Sequence, residues 1–221
     1  MITRTFFAPR RADLTTGACL AHWRGRHAAI GASLPGVRAY VQNHGILADG
    51  RFLLPYPGFD IMPELDWDDL SAMDAAIDSP VHEQDSVDDE ENFIDGSRTG
   101  YAVTARHILV DAPAKADAVK LITLLRRAPG AAVPALAAAL IEGYAQAVSA
   151  SRPMRHEALI TMADREGHPP FSVQAIEMLW FATPEDALAW IRSDAAYGAA
   201  LSLAGAAFGS ERLIARAHKI V

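Results

Sequence analysis

The sequence predicts an α+β fold in which two tandem βαββαβ repeats form an intramolecular α+β barrel. The first observation is that residues 103–110 (VTARHILV) and 213–221 (LIARAHKIV) are similar runs, each with one histidine. The second is that residues 63–77 and 176–191 both read as a strand followed by an amphipathic helix. Similarity at a fixed spacing is the sequence signature of internal repetition.

A third observation sets the register of the repeats. Tyr40 aligns with His156, and the same offset of 116 residues aligns Leu20 with Leu136. We therefore divide the chain into repeat 1 at residues 1–112 and a degenerate repeat 2 at residues 117–221.

In repeat 1, runs rich in β-branched and aromatic residues predict four strands, near residues 2–8, 37–47, 58–66 and 101–110. The first helix is expected over residues 16–33, because Thr15 or Thr16 suits an N-cap and Pro35-Gly36 suits a stop. A second helix is expected to begin near Trp67, with acidic residues in its first turn. The acidic run at residues 83–91 is expected to be a solvated face.

In repeat 2, the same reasoning predicts strands near residues 119–125, 156–162, 172–181 and 212–221, and helices near 133–150 and 184–194. Antiparallel strands with two helices on one face form a two-layer sandwich whose bare sheet face must be buried. In a tandem repeat the other half's sheet is the expected partner, which gives the barrel.

Composition excludes several classes of function. Net charge is −7 and no segment gathers Lys and Arg, so no nucleic-acid partner is expected. The single cysteine, Cys19, cannot build a disulfide framework or a cysteine-rich zinc site. No leader-type or membrane-spanning apolar segment is evident, so we expect a cytoplasmic protein with no membrane partner.

Helix one carries the first candidate for chemistry. Leu20, Trp23, His27 and Ile30 step by three or four residues and share one face, which predicts that His27 points inward. An inward imidazole suits general acid–base catalysis, because its ordinary pKa lies near 6.5. The alternative is a core histidine satisfied by one hydrogen bond. His22 and His27 are five residues apart, which is not a helical metal-ligand spacing, and no metal site is expected.

The second strand carries the next candidates. Tyr40, Gln42 and His44 alternate onto one face, whereas Asn43 takes the other. If the Tyr40 face looks toward helix one, its hydroxyl could meet His27 and stabilise an oxyanion. The alternative is a half-buried tyrosine with an interfacial hydroxyl.

These residues also carry a resemblance to a known family. Trp23 and His27 on helix one, the Pro35-Gly36 stop, Tyr40 and the Asn43-His44 pair resemble the EthD family of ferredoxin-like, dimeric α+β-barrel proteins. Further similar positions are Asp60, Glu64, Trp67, Asn92, Phe93 and Asp95. The resemblance covers residues 1–110 well and residues 118–221 in outline.

The resemblance implies cofactor-free chemistry on a small organic molecule in a histidine-containing cavity, in a protein that could also form a homodimer. It implies the catalytic residues His27, Tyr40 and His44, and the substrate-binding residues Trp23, Asn43, Glu64, Trp67 and Phe93. The family includes a methylisomerase that uses a cysteine downstream of its tyrosine, but Cys19 lies upstream of Tyr40, which argues against that chemistry.

Three functions remain open from the sequence. The chain could be a cofactor-independent lyase, isomerase or cyclase that acts on a hydrophobic, oxygen-bearing molecule. It could be a cofactor-free or haem-assisted oxygenase. It could be a non-catalytic accessory protein that binds a metabolite. We also expect repeat 1 to carry the site and repeat 2 to be structural, because the 116 offset places Gly143 where repeat 1 has His27.

Overall fold

Strands and helices follow each other along the chain largely in the order that the hydrophobic pattern predicts. The computed structural model describes residues 1–113, 115, 117–149, 153–162 and 173–221. These residues divide into unit 1, Met1–Val103 with Ala217–Val221, and unit 2, Thr104–Arg216. The segment between the two predicted repeats, residues 113–116, lies partly outside the described residues.

The regular elements that begin in unit 1 are strands, α-helices and short π- or 3₁₀-helical turns. They are β1 (Ile2–Phe7), α1 (Thr16–His22), a π-helical turn (Trp23–His27), α2 (Ala28–Ala32), β2 (Ala39–Gly45), β3 (Leu47–Ala48), β4 (Arg51–Phe52), β5 (Pro63–Trp67), α3 (Leu70–Ile77), a second π-helical turn (Val81–Ser86), α4 (Val87–Glu90), a 3₁₀ turn (Gly96–Arg98) and β6 (Gly100–Val110).

The sheet of unit 1 is antiparallel. β5 lies between β1 and β2, with Thr5 opposite Glu64 and Tyr40 opposite Leu65. The end of β10 adds to β2, since the Ile220 amide donates to the Tyr40 carbonyl at 2.8 Å. The β3–β4 pair forms a separate hairpin, at Leu47 to Phe52, where the sequence predicted the continuation of one strand.

One helix cap forms as predicted and the other differs. Thr15 accepts a hydrogen bond from the Ala18 amide through its hydroxyl and begins α1. The helix expected to begin near Trp67 begins at Leu70, because Asp69 is its N-cap and accepts from the Ala72 amide at 2.9 Å, where a place in the first turn was expected. Each side chain satisfies a backbone N–H that the helix leaves without an internal partner. Gly36, at φ 66°, provides the left-handed turn that follows α2.

The acidic run differs from its prediction. We expected a solvated face, but Asp89 is 1% exposed and Glu90 is half-buried. The run folds as the π-helical turn Val81–Ser86 followed by α4, and these two elements turn Asp89 and Glu90 inward. Long-range partners on helix one stabilise the buried carboxylate, and local sequence does not show such partners.

The described elements that begin in unit 2 follow a similar order, without counterparts of the β3–β4 hairpin, the second π-helical turn and the 3₁₀ turn of unit 1. They are β7 (Val119–Arg127), α5 (Val133–Ala138), a π-helical turn (Ala139–Tyr144), α6 (Ala145–Ser149), β8 (Arg155–Thr161), β9 (Ala175–Phe181), α7 (Pro184–Ile191), α8 (Asp194–Leu201) and β10 (Ala207–Lys219).

The sheet of unit 2 is also antiparallel. β7 lies between β10 and β9, and β8 lies between β9 and the second part of β6. A capping box between Thr183 and Asp186 begins α7. Helix α8 was missed, because the predicted helix at 184–194 continues past a break at Ser193, whose hydroxyl caps the new helix.

The prediction of an α+β fold with antiparallel strands is therefore confirmed. The tandem-repeat origin, the repeat boundaries and the intramolecular barrel stay predictions. Within the part of the chain that the structure describes, no helix is long and apolar enough to cross a membrane.

Candidate active site

Helix one changes its pitch at the residues predicted to carry chemistry. The π-helical turn at Trp23–His27 widens the helix, so residues five apart fall on one face. His22 and His27 consequently both reach Asp89, with ring nitrogens 3.1 Å from Oδ2. Our expectation that a spacing of five separates the two histidines was wrong, because it assumed regular α-helical pitch.

Asp89 is the carboxylate that orients His27. It is 1% exposed, and it also accepts from Arg26 at 3.0 Å. The His27 Nδ1 is its partner, so the other ring nitrogen, Nε2, makes no hydrogen bond to the described residues. Burial lowers the pKa of His27, and the bond to Asp89 opposes that effect only in part. His27 is therefore a neutral base at neutral pH.

Tyr40 faces helix one, as the strand pattern predicted. Its hydroxyl oxygen accepts from Trp23 Nε1 at 3.2 Å and from Gln42 Nε2 at 2.8 Å. The hydroxyl is thus fixed by Trp23 and Gln42, where the sequence suggested His27. Burial raises the pKa of Tyr40 to about 12. The phenol stays neutral and keeps its own proton for donation.

His44 contacts the two residues that hold the Tyr40 hydroxyl. It stacks on the Trp23 ring, with centroids 4.7 Å apart, and its Nε2 lies 2.9 Å from Gln42 Oε1. Burial, together with smaller effects of His218 and Arg24, lowers the pKa of His44 to about 3. A neutral His44 donates to Gln42, which in turn holds the Tyr40 hydroxyl. The structure thus gives His44 a positioning contact through Gln42.

His27, Tyr40 and Trp23 line one small cavity in unit 1, which we call the inner cavity. Its volume is about 30 Å³, which is room for one water-sized group. The remaining lining residues come from β1, the helices, β5 and the acidic run. They are Arg4, Phe6, Gly31, Leu34, Ile61, Pro63, Leu65, His82, Ser86 and Glu90.

Glu90 provides the second titratable group of the inner cavity. Burial raises the pKa of Glu90 to about 7, whereas Arg4 and the Ser86 hydroxyl lower it. The Ser86 oxygen lies 3.4 Å from Oε1. Near neutral pH this carboxyl group is divided between its acid and base forms, which is the range in which general acids and bases work best.

Glu90 also lines a second, more open space. This outer groove has a volume of about 620 Å³ and includes Arg11, Asp13, Val87 and Ile94 in its wall. Arg11 and Asp13 neutralise each other in an ion pair at 2.9 Å. Because Glu90 belongs to both linings, its side chain lies between the groove and the inner cavity.

The other predicted site residues lie outside the inner cavity. Asn43 donates to Glu64 Oε1 at 2.8 Å, and both residues are buried on the strand face opposite Tyr40. Trp67 donates to the Pro35 carbonyl at 3.1 Å. Phe93 is fully buried and packs edge-on against the His27 ring at 5.0 Å. Their proposed contact with substrate stays a prediction.

Sequence reasoning missed Arg4, His82, Ser86, Asp89 and Glu90. Arg4 on β1 carries no such signal, and for the other four the only local signal is the segment at residues 82–90, in which a histidine and a serine precede two carboxylates. That pattern is typical of an exposed helix, and no hydrophobic periodicity distinguishes this buried segment from one. What turns these residues inward is the pairing of Asp89 with helix one.

Neither a haem nor a metal ion fits the described residues of this site. A cavity of about 30 Å³ holds a water molecule and not a porphyrin, so the residues around it do not fit a haem. Among the described residues, no group of three or more His, Cys, Asp or Glu side chains could hold a metal ion.

Solved structures share the fold of this chain. An anthrone oxidase-like protein has a TM-score of 0.68 at 10% identity, covering 99% of this chain and 92% of its own. A proposed monooxygenase from Lactobacillus acidophilus NCFM has 0.58 at 10% identity, covering 100% and 94%. Another from Fusobacterium nucleatum has 0.59 at 9% identity, covering 98% and 91%. At such identities the likeness concerns the fold alone.

Among curated proteins, none matches this sequence. The model of the EthD domain matches residues 11–97. This segment contains His27, Tyr40, Asp89 and Glu90, and the resemblance that the sequence suggested is confirmed there. The candidate site of this chain accordingly lies within the segment that the model of the EthD domain matches.

Proposed function

We propose that the chain is a cofactor-independent enzyme that moves a proton on a small, hydrophobic, oxygen-bearing molecule, as a lyase, isomerase or cyclase does. One observation carries the proposal. The inner cavity combines a histidine whose pKa is lowered, a carboxyl group whose pKa is raised to about 7, and a neutral phenol. When the surroundings of two titratable groups shift their pKa values apart, one group can act as the base and the other as the acid.

The roles follow from the contacts of each group. Asp89 holds Nδ1 of His27, so Nε2 is the nitrogen that accepts a proton from the carbon next to a substrate carbonyl. The C–H electron pair moves toward the carbonyl oxygen, where the Tyr40 hydroxyl donates a hydrogen bond to the developing enolate. Glu90, in its acid form, returns a proton to the enolate. Proton transfer from His27 to Glu90 then restores both groups.

The two spaces beside Glu90 suggest how a substrate binds. The inner cavity accommodates one water-sized group, which suits the reacting oxygen. The outer groove offers room for an organic body beside Val87 and Ile94. Because Arg11 is already paired with Asp13, a neutral body fits better than an anionic one. Glu90 must rotate aside as the substrate enters.

The test is exchange of substrate carbon-bound hydrogen with solvent deuterium. We would incubate 2-tetralone, a neutral ring ketone, with the full chain in D₂O and follow its α-proton signal by NMR. His27→Gln should slow the enzyme-catalysed exchange by about 100-fold or more, the usual contribution of a general base. His107→Gln, a matched change in unit 2, should exchange at the parent rate. Exchange that survives in His27→Gln would refute the assignment.

The pH profile tests Glu90 separately. Catalysis that needs its acid form should decline as the pH rises through about 7, where burial has placed the pKa of Glu90. Glu90→Gln should lower the rate at pH 6 and remove that decline. If the pH profile of the variant is unchanged, a group other than Glu90 is the general acid.

A non-catalytic binding protein is the competing function. It would bind 2-tetralone saturably without accelerating exchange, and His27→Gln would then alter only affinity. We also propose a cytoplasmic location, because a single buried thiol, Cys19, suits a reducing compartment. A homodimer remains part of the proposal and is tested by sedimentation.

A further inference from the structure

Unit 2 contains a buried polar cluster that the proposed chemistry does not use. His156 is 0% exposed and Glu177 is 1% exposed, and His156 Nε2 lies 3.3 Å from Glu177 Oε1. That contact lacks the geometry of a hydrogen bond, and neither ring nitrogen of His156 nor Glu177 Oε1 makes another hydrogen bond to the described residues. Buried polar atoms without partners are costly, so these atoms call for a functional explanation.

Tyr144 belongs to the same cluster. Its ring lies 6.4 Å from that of His156, and it is 5% exposed. Burial raises the pKa of Tyr144, and both the charge of the neighbouring Glu177 and a side-chain hydrogen bond to it raise the pKa further. Tyr144 therefore remains a neutral phenol beside the carboxylate.

A cavity of about 210 Å³ lies beside this cluster, and all its lining residues belong to unit 2. One part of the lining is polar and contains Thr123, Glu177 and Arg212. Another part is apolar and contains Leu203 and Phe208. Arg212 makes no hydrogen bond or ion pair to the described residues, so its guanidinium is available to a ligand.

The location within unit 2 corresponds to that of the inner cavity within unit 1. His156 is the second residue of β8, as Tyr40 is the second residue of β2. The helix of each unit carries a π-helical turn, at Trp23–His27 and at Ala139–Tyr144. π-helical turns occur frequently at functional sites. The side chains differ between the units, so a different ligand is expected.

We propose that unit 2 holds a second binding site, which takes a neutral molecule with a single hydroxylated aromatic ring. Size supports the ring, since a cavity of about 150 Å³ is known to bind benzene and this cavity is larger. Chemistry supports the hydroxyl. Among the described residues, Glu177 Oε1 accepts no well-formed hydrogen bond and Arg212 donates none, and one phenolic hydroxyl can donate to the first and accept from the second. A carboxylate ligand would face the Glu177 carboxylate and be repelled.

The test is a ¹⁹F NMR titration of the full chain with 4-fluorophenol, with fluorobenzene and 4-fluorobenzoate as comparison probes. We expect saturable binding of 4-fluorophenol, about tenfold tighter than either comparison probe, since a hydrogen bond to a charged group contributes that much. Glu177→Gln should weaken 4-fluorophenol about tenfold, because a neutral acceptor forms a weaker bond.

Glu211→Gln is the matched control, because Glu211 precedes Arg212 on β10 and pairs with Arg126. It should leave the affinity for 4-fluorophenol unchanged. Phe208→Ala, at a side chain already 63% exposed, gives a second variant that keeps the fold and should weaken all three probes.

Absence of saturable binding, equal affinity for the three probes, or an unaffected Glu177→Gln would each overturn the proposal. The titration requires no turnover. It therefore succeeds or fails independently of the deuterium-exchange assay on unit 1.

Discussion

Glu90 is placed where its charged form destabilises the folded state, and the size of this destabilisation depends on pH. Burial raises its pKa from the ordinary 4.5 to about 7. The folded state therefore holds the Glu90 proton more tightly than the unfolded chain does. The stability that this proton contributes is fully present below pH 4.5 and is lost as the pH rises through about 7.

Glu90→Gln should remove this pH dependence. We expect the variant to be more stable than the parent at pH 8.5, by on the order of 2 kcal/mol, and to gain nothing at pH 4.5. Urea unfolding at the two pH values measures the difference. Glu83→Gln, an exposed change in the same run, should shift both values equally. An equal gain for Glu90→Gln at both pH values would contradict the shifted pKa.

At the scale of elements, helix one and strand β2 approach each other closely at a glycine. A Cβ atom added at Gly31 would lie 2.6 Å from Tyr40 Cε1, which is closer than real contacts allow. Gly31 therefore sets the distance between α2 and the Tyr40 ring, and with it the shape of the inner cavity.

Gly31→Ala should destabilise the protein by about 1–3 kcal/mol through overpacking, although alanine favours helix. Gly25→Ala is the control, since no heavy atom lies within 4 Å of its added Cβ. It should be neutral or stabilise by about 0.5–1 kcal/mol. Thermal unfolding of both variants measures the contrast. Equal effects would show that the Tyr40 ring moves aside freely.

Asp89 attaches the short helix α4 to helix one. Its buried carboxylate contacts His22, Arg26 and His27, so one residue holds three side chains of the π-helical turn region. Removing its charge weakens the hydrogen bond to the buried His27 and leaves the exposed Arg26 guanidinium without its ion-pair partner.

Asp89→Asn should cost about 3 kcal/mol of stability and lower the pKa of His27 further, because its hydrogen bond to Asp89 raises that pKa. Chemical denaturation measures the first effect, and NMR titration of the imidazole measures the second. Asp88→Asn, at an exposed neighbour, is the control. If the pKa of His27 stays constant in Asp89→Asn, the orienting role of Asp89 is disproved.

At the scale of the whole molecule, two strands begin in one unit and end in the other. β6 leaves unit 1 after Val103, and β10 leaves unit 2 after Arg216. Each unit therefore needs part of a strand whose remainder belongs to the other sheet, which should make the two units unfold together.

Leu159→Ala tests that cooperativity. Leu159 is fully buried in unit 2, and its truncation should cost about 2–5 kcal/mol. In hydrogen exchange followed by mass spectrometry, we expect the protection of β5 in unit 1 and β9 in unit 2 to fall by the same amount. Protection that is lost in β9 and kept in β5 would show that the units unfold separately.

The sequence alone determined the elements whose causes are local. Alternation and β-branched runs specify the strands, Thr15 specifies a helix start, and Gly36 supplies the turn after α2. The inward direction of His27 also follows from helical periodicity, whereas strand alternation showed only that Tyr40, Gln42 and His44 share one face. The match of residues 11–97 to the EthD domain agrees with what those same residues suggested.

The tertiary structure decided the features that depend on distant partners. The pitch change at Trp23–His27, the inward turn of Asp89 and Glu90, and the bonds that fix the Tyr40 hydroxyl all join residues far apart in the chain. The raised pKa of Glu90 likewise comes mainly from burial, with a smaller contribution from the adjacent Asp89. A carboxylate in an acidic run reads as solvated until the fold surrounds it, so only the folded chain shows which acid faces the base.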